Sequence, residues 1–153
     1  MNSNESEKYK KYKEYKLARD SIQLVNAYVI NCCAELFAEM DSKSRCEMST
    51  QIGKKQERIS DTDVNGYIKV EVIIKPNGED RQLARFMVEC KGLFHVVSRD
   101  VETKEQDYRI NLQLVPQLLP YVRMALTNLS SMLNIAPIIL PTIDIIRSIE
   151  KNR

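Results

Sequence analysis

Residues 111–140 read NLQLVPQLLPYVRMALTNLSSMLNIAPIIL, and Arg123 is the one charged side chain among them. Wound at about 100° per residue, Leu112, Val115, Leu119, Val122, Leu126, Leu129 and Leu133 share one stripe. Leu114, Leu118, Tyr121, Ala125 and Met132 widen it to nearly half the circumference. That leaves Gln113, Gln117, Arg123, Thr127, Ser130, Ser131 and Asn134 to face water. A helix lying on one sheet needs an apolar arc of about 100°, so this helix has two surfaces to cover. Pro116 and Pro120 would each cost about 3 kcal/mol inside it, which predicts a break or kink, with Pro120 opening the second segment. Pro137 and Pro141 bracket an extended Ile138-Ile139-Leu140, after which Thr142 or Asp144 caps a last helix through Glu150. The prolines, with Asn128, Ser130, Ser131 and Asn134, argue against a bilayer crossing, which takes about twenty mostly apolar residues.

Strands precede this region. Tyr67 to Lys75 turns Ile68, Val70, Val72 and Ile74 one way and Lys69 and Glu71 the other. Pro76-Asn77-Gly78 reverses the chain into Gln82–Val97, where Ala84, Phe86, Val88, Cys90, Phe94 and Val96 share a face. Gly92 marks a bulge or a close backbone approach. Asp61 to Gly66 reads as a turn because Asn-Gly tolerates positive φ. Cys46 to Ile59 suits a solvated edge strand, and Glu39 to Arg45 a polar connector. Ile22 to Cys33 alternates Ile22, Leu24, Tyr28 and Ile30 with Val25, Ala27 and Val29. Apolar on both faces, it is a strand covered twice or one at a subunit contact. Strands first and helices afterwards give an α+β domain, a four-stranded antiparallel sheet packed with C-terminal helices. Residues 20–153 form one such domain, preceded by a mobile basic arm over residues 1–19.

The balance of 23 basic and 21 acidic residues leaves a net charge of +2, so the whole molecule is not a polyanion binder. The bias is local: between Lys8 and Arg19, lysines interleave with Tyr9, Tyr12 and Tyr15. Such a run could stack on bases and pair with phosphates, but no recognition helix or aromatic sheet motif accompanies it. A solvated, partly helical arm is the simpler reading. The N-terminus lacks the apolar core of a signal peptide, which reads as cytoplasmic. Cys32, Cys33, Cys46 and Cys90 contain no CxxC pair, and His95 is the one histidine. Reduced, half-buried cysteines are expected rather than a metal site. Gly53-Lys54-Lys55 lacks the preceding glycine of a phosphate loop, and no serine or cysteine motif recruits His95 as a base. The carboxylates Asp61, Asp63, Glu79 and Asp80 fall in expected turns. No enzyme and no cofactor is indicated. Surplus apolar surface is what remains, and such surface marks interaction sites.

Val88-Glu89-Cys90-Lys91-Gly92-Leu93-Phe94-His95-Val96 resembles the V-E-x-x-G-x-F-x-(I/V) strand of the bacterial export chaperone SecB. Leu119-Pro120-Tyr121-Val122-Arg123 is similar to its F-P-Y-A-R segment, and Ile139-Leu140-Pro141-Thr142-Ile143-Asp144 to its L-x-P-(I/V)-N-F stretch. The resemblance spans roughly residues 61–146. It implies a dimer of dimers that holds non-native polypeptides in apolar grooves without ATP or catalytic residues, and that serves protein export. By position, Phe86, Phe94, Tyr121, Ile139 and Leu140 become groove or supporting residues. Leu24, Tyr28, Val122, Leu126, Leu129 and Leu133 become the candidate oligomer interface.

The resemblance also implies the translocase motor SecA as a partner, docked on an acidic sheet surface. This chain departs there, with a pI near 8.3 and Lys69, Arg85 and Lys91 beside Glu71 and Glu89. It ends on Lys151-Asn152-Arg153 rather than an acidic tail. A SecB-like chaperone dedicated to a toxin–antitoxin pair or another specific client is the alternative, as is an oligomerisation or adaptor domain without clients.

Overall fold

The computed structural model describes residues 3–41, 43–98 and 101–140. Helix α1 (Ser3–Ser21) leads into strands β1 (Ile22–Leu36), β2 (Cys46–Arg58), β3 (Asp63–Pro76) and β4 (Ala84–Val96), followed by helix α2 (Thr103–Met132). The strands form one antiparallel sheet in the order β1-β4-β3-β2, so β1 and β2 are its edges. The last helix expected from Thr142 or Asp144 lies outside the described residues.

The central strands keep to their sequence pattern. Ile68, Val70, Val72 and Ile74 of β3 and Ala84, Phe86, Val88, Cys90, Phe94 and Val96 of β4 are buried beneath α2. The turn at Pro76-Asn77-Gly78 closes with Glu79 N–H donating to Pro76 O at 3.2 Å, and Gly78 takes a φ of 78°.

The Asn65-Gly66 turn is a correction. Both residues lie in β3, opposite Glu57 and Gln56 on β2 and Leu93 and Gly92 on β4. The turn sits earlier, where the Ser60 hydroxyl accepts from Thr62 N and Asp63 N at 3.2 and 3.0 Å. Gly66 is there for space: a Cβ would stand 2.2 Å from Leu114 Cδ2 and 2.7 Å from Phe94 Cε2. Its neighbour Gly92 is likewise a close approach, a Cβ there falling 2.7 Å from Leu118 Cδ2 and 2.9 Å from Leu24 Cδ1.

Irregular pairing falls instead in β1, at Leu24/Asn26 and Val29/Asn31. Two extra residues, Val25 and Ile30, re-phase the strand. Leu24, Ala27, Val29 and Ala34 therefore pack on the core, and Tyr28 turns to the opposite face. The simple alternation read from the sequence does not survive these two insertions.

Helix α2 runs unbroken through Pro116 and Pro120. Each proline forfeits one backbone bond, but they stand four residues apart on a half-exposed to exposed flank. Burial of Leu114, Leu118 and Val122, worth about 1.5–3 kcal/mol for each side chain, offsets that cost. Every fourth residue from Ile110 to Ser130 is buried: Ile110, Leu114, Leu118, Val122, Leu126 and Ser130. Four residues overshoot a turn by about 40°, so this line winds around the helix and its cover must change along its length. Near the start α1 supplies it. Arg109 Nη1 donates to Ser21 Oγ at 3.0 Å, Gln113 Nε2 donates to Tyr15 O at 3.5 Å, and Ala18 is fully buried. Gln113 and Ser130, expected to face water, are thus fully buried.

Gly66→Ala and Gly92→Ala should each destabilise the fold by about 1–3 kcal/mol through overpacking. Gly53→Ala, where a Cβ meets nothing within 4 Å, should change stability by less than about 0.5 kcal/mol. Urea unfolding followed by circular dichroism measures all three.

Candidate binding cleft

Beyond Met132 the chain leaves the helix at Asn134, which takes the left-handed conformation (φ 54°) that asparagine tolerates. Leu133 N, Asn134 N and Ile135 N donate to Leu129 O, Ser131 O and Ser130 O at 3.0–3.2 Å, satisfying the carbonyls of the last turn. Ser130 then anchors the segment after the turn: its hydroxyl donates to Leu126 O at 2.7 Å and accepts from Ile138 N at 3.3 Å. Held there, the extended segment alternates, with Ile138 and Leu140 buried and Ile139 79% exposed.

Across from this segment stand the start of β2 and the connector before it. Met40, Cys46, Glu47, Met48 and Ile74 face Ile135, Ala136, Pro137, Ile138 and Ile139 around an open cleft of about 190 Å³. Glu47 is the one charged lining residue. The volume falls below the roughly 300–1,000 Å³ of small-molecule sites and suits a large apolar side chain. Met48 and Ile52, 41% and 38% exposed, continue the apolar surface along β2, an edge strand with unpaired backbone on one side.

Of the expected groove residues, Ile139 lines the cleft and Leu140 is buried beside it. Tyr121 is half-buried on α2 and is not among the lining residues. Phe86 and Phe94, expected as groove or supporting residues, are fully buried, because β4 is a central strand and α2 covers that face; this corrects a groove-lining role and leaves the supporting one. Among the expected interface residues, Tyr28 is exposed and Leu24, Leu129 and Leu133 are half-buried. Val122 and Leu126 are fully buried against the sheet and have no surface to give a second subunit. Met40, Met48, Ile52 and Ile135 were not singled out by sequence. For Met48 and Ile52 a signal exists in the weak alternation of Cys46, Met48, Thr50 and Ile52, which also fits a solvated edge; Met40 and Ile135 have none.

Groups capable of chemistry do not converge among the described residues. His95 Nδ1 lies 2.7 Å from Asp63 Oδ1, its cross-strand neighbour. Burial pushes the Cys90 thiol up to about 11, leaving it protonated at neutral pH. Cys32, Cys33 and Cys46 are exposed free thiols. Among the described residues no group of three or more His, Cys, Asp or Glu side chains could hold a metal ion. No helix among them is long and apolar enough to cross a membrane.

No family model and no curated protein matches the sequence. The architecture does match a solved structure, the Mycobacterium tuberculosis Rv1957 SecB-like chaperone in complex with a ChAD peptide from the Rv1956 HigA1 antitoxin. The two superpose with a TM-score of 0.73 at 14% identity, over 86% of this chain and 97% of that one. The fold is SecB-like. At this identity the likeness is one of architecture, and it agrees with the SecB resemblance of residues 61–146. A protein of unknown function from Streptococcus agalactiae is also similar, with a TM-score of 0.40 and 15% identity over 78% of this chain and 95% of that one. Within the SecB-like fold, the cleft lies between the segment after the long helix and the β1–β2 connection with the start of β2.

Proposed function

We propose that this protein is an ATP-independent, non-catalytic holdase that binds non-native polypeptides in the cytoplasm. The open apolar cleft beside Ile139, on the rim of an unpaired edge strand, carries this reading. An extended client could place an apolar side chain in the cleft while its backbone lies along β2. Each buried client side chain contributes up to about 1.5–3 kcal/mol, reduced by the cost of ordering the chain. Such binding holds the unfolded state by mass action and needs no nucleotide.

The SecB-like fold suggests two client assignments. One is service in protein export; the other is a dedicated client such as an antitoxin. The neighbour's complex with an antitoxin peptide favours the second. So does a sheet surface carrying Lys55, Lys69 and Lys91, which is a poor match to the acidic surface implied for SecA docking.

Self-association belongs to the same reading. Val25, Tyr28, Ile30 and Leu36 are exposed along the free edge of β1, and pairing two such edges would make a dimer. Met124 and Met132, exposed on α2 beside the half-buried Leu129 and Leu133, offer a second contact for a dimer of dimers.

Purified protein should suppress aggregation of a reduced, unfolded model protein at near-stoichiometric amounts without nucleotide. Met48→Asp with Ile139→Asp should raise the amount needed by about tenfold, the equivalent of about 1.4 kcal/mol of binding. No suppression across a concentration series sinks the proposal. Sedimentation should give a dimer or tetramer, and Val25→Lys with Ile30→Lys a species of half that mass; an unchanged assembly rules out the β1 contact.

A further inference from the structure

The sheet has a second face, turned away from α2, and its strand register aligns an unusual row across it. Lys55 pairs with Tyr67, Tyr67 with Lys91, and Lys91 with Tyr28, so lysine and tyrosine alternate over all four strands. The Lys55 ammonium stands 4.8 Å from the Tyr67 ring centroid and the Lys91 ammonium 5.7 Å. In the adjoining row, Gly53 pairs with Lys69 and Lys69 with Glu89.

Gly53 stands at the β2 edge of this arrangement, and packing does not call for it. Unlike Gly66 and Gly92, it has nothing within 4 Å of where a Cβ would be, and its φ is not positive. Glycine is disfavoured within a strand, yet here it opens a notch of about 180 Å³ whose lining includes Lys54, Lys55, Tyr67, Lys69 and Glu89. Elsewhere on this face cations are paired: Arg85 meets Glu71 at 2.9 Å and Lys75 meets Asp80 at 4.0 Å. Among the described residues Lys55, Lys69 and Lys91 form no such ion pair. Lys54 pairs with Ile68, so its half-buried side chain turns to the helix-facing side and leaves the notch to Lys55 and Lys69.

We infer that this notch is an anion-binding docking site for a polypeptide partner, taking the carboxylate of an exposed aspartate or glutamate between Lys55 and Lys69. Three features favour an acidic polypeptide over a nucleic acid. The Tyr67 ring already has lysine ammonium groups over it, so it is not a free stacking platform of the kind single strands use. Glu57, Glu71 and Glu89 surround the notch on the same face, so it holds an isolated carboxylate but repels a continuous phosphate backbone. The free edge of β2 beside Gly53 presents backbone groups that an adjoining polypeptide strand can pair. The site lies on the opposite face of the sheet from the apolar cleft, so a carboxylate there and an apolar side chain in the cleft do not clash, although only one strand can pair a given stretch of the β2 edge.

Fluorescence anisotropy with the full chain tests this, using a labelled strand-forming peptide of valine and threonine with one central glutamate. The glutamate peptide should bind about tenfold more tightly than the same peptide with glutamine, as expected for charge-assisted hydrogen bonds, and added salt should erode the difference. Lys55→Ala with Lys69→Ala, and separately Gly53→Val to fill the notch, should each abolish the preference, whereas Met48→Asp should leave it intact. Lys69→Glu should favour the same peptide with lysine in place of the glutamate, which guards against mere misfolding as the cause. Equal binding of the glutamate and glutamine peptides overturns the inference, as does indifference to the lysine and glycine substitutions. Tighter binding of oligodeoxythymidylate, weakened by those substitutions, overturns it in favour of a nucleic-acid site. Because the client cleft is assayed by aggregation, failure here leaves the holdase proposal standing.

Discussion

The seating of α2 on the glycine pair Gly66 and Gly92 is the constraint on which the rest depends. These cross-strand neighbours leave a bare patch, and Leu114, Leu118 and Phe94 fill it more closely than any Cβ would allow. One helix is about 10 Å across, whereas three strand spacings span about 14 Å. A helix packed on β1, β4 and β3 therefore leaves the far edge at β2 short of cover. The uncovered margin at β2, with Met48, Ile52 and the cleft behind Met40, is a consequence of that geometry as much as of its own residues.

The two ends of α2 meet the shortfall differently. At its start, α1 folds over Arg109 and Gln113, with Ser21 accepting from Arg109 and Ala18 buried. At its end, the Ile138–Leu140 segment folds back onto Ser130. Both patches place polar side chains in buried positions, where they remain only because each has a partner. The sheet's helix-facing side thus serves mainly packing and apolar binding, with Arg58 paired to Asp107 at its rim, and its other side carries the rows of lysines and glutamates.

The central hairpin was legible because β3 and β4 alternate without interruption and end at a proline–glycine turn. Order, sheet and the apolar segment after Pro137 were equally readable. Three features were not. Strand β1 hides two inserted residues, Val25 and Ile30, and each reverses the facing of every later position in the strand. Asn65-Gly66 has turn composition but strand placement, because tertiary contact with Leu114 outranks local preference. Gln113 and Ser130 looked solvent-facing since a hydropathy stripe cannot anticipate a chain segment arriving with hydrogen-bond partners. Phe86 and Phe94 read as apolar-face residues of β4 by alternation and as groove or supporting residues by resemblance; on a central strand under α2 they are core, which excludes a groove-lining role. Met48 and Ile52 were visible but ambiguous, as apolar residues on an edge strand fit either solvation or binding.

The central claim, that unfolded polypeptide is held at the Ile139 cleft, is tested most directly by site-specific photo-crosslinking. A benzophenone amino acid replacing Ile139 or Met48 should capture a chemically unfolded client, and the same probe replacing Lys69 on the opposite face should not. Equal capture from both faces, or none at Ile139 and Met48 while aggregation is still suppressed, would contradict the account.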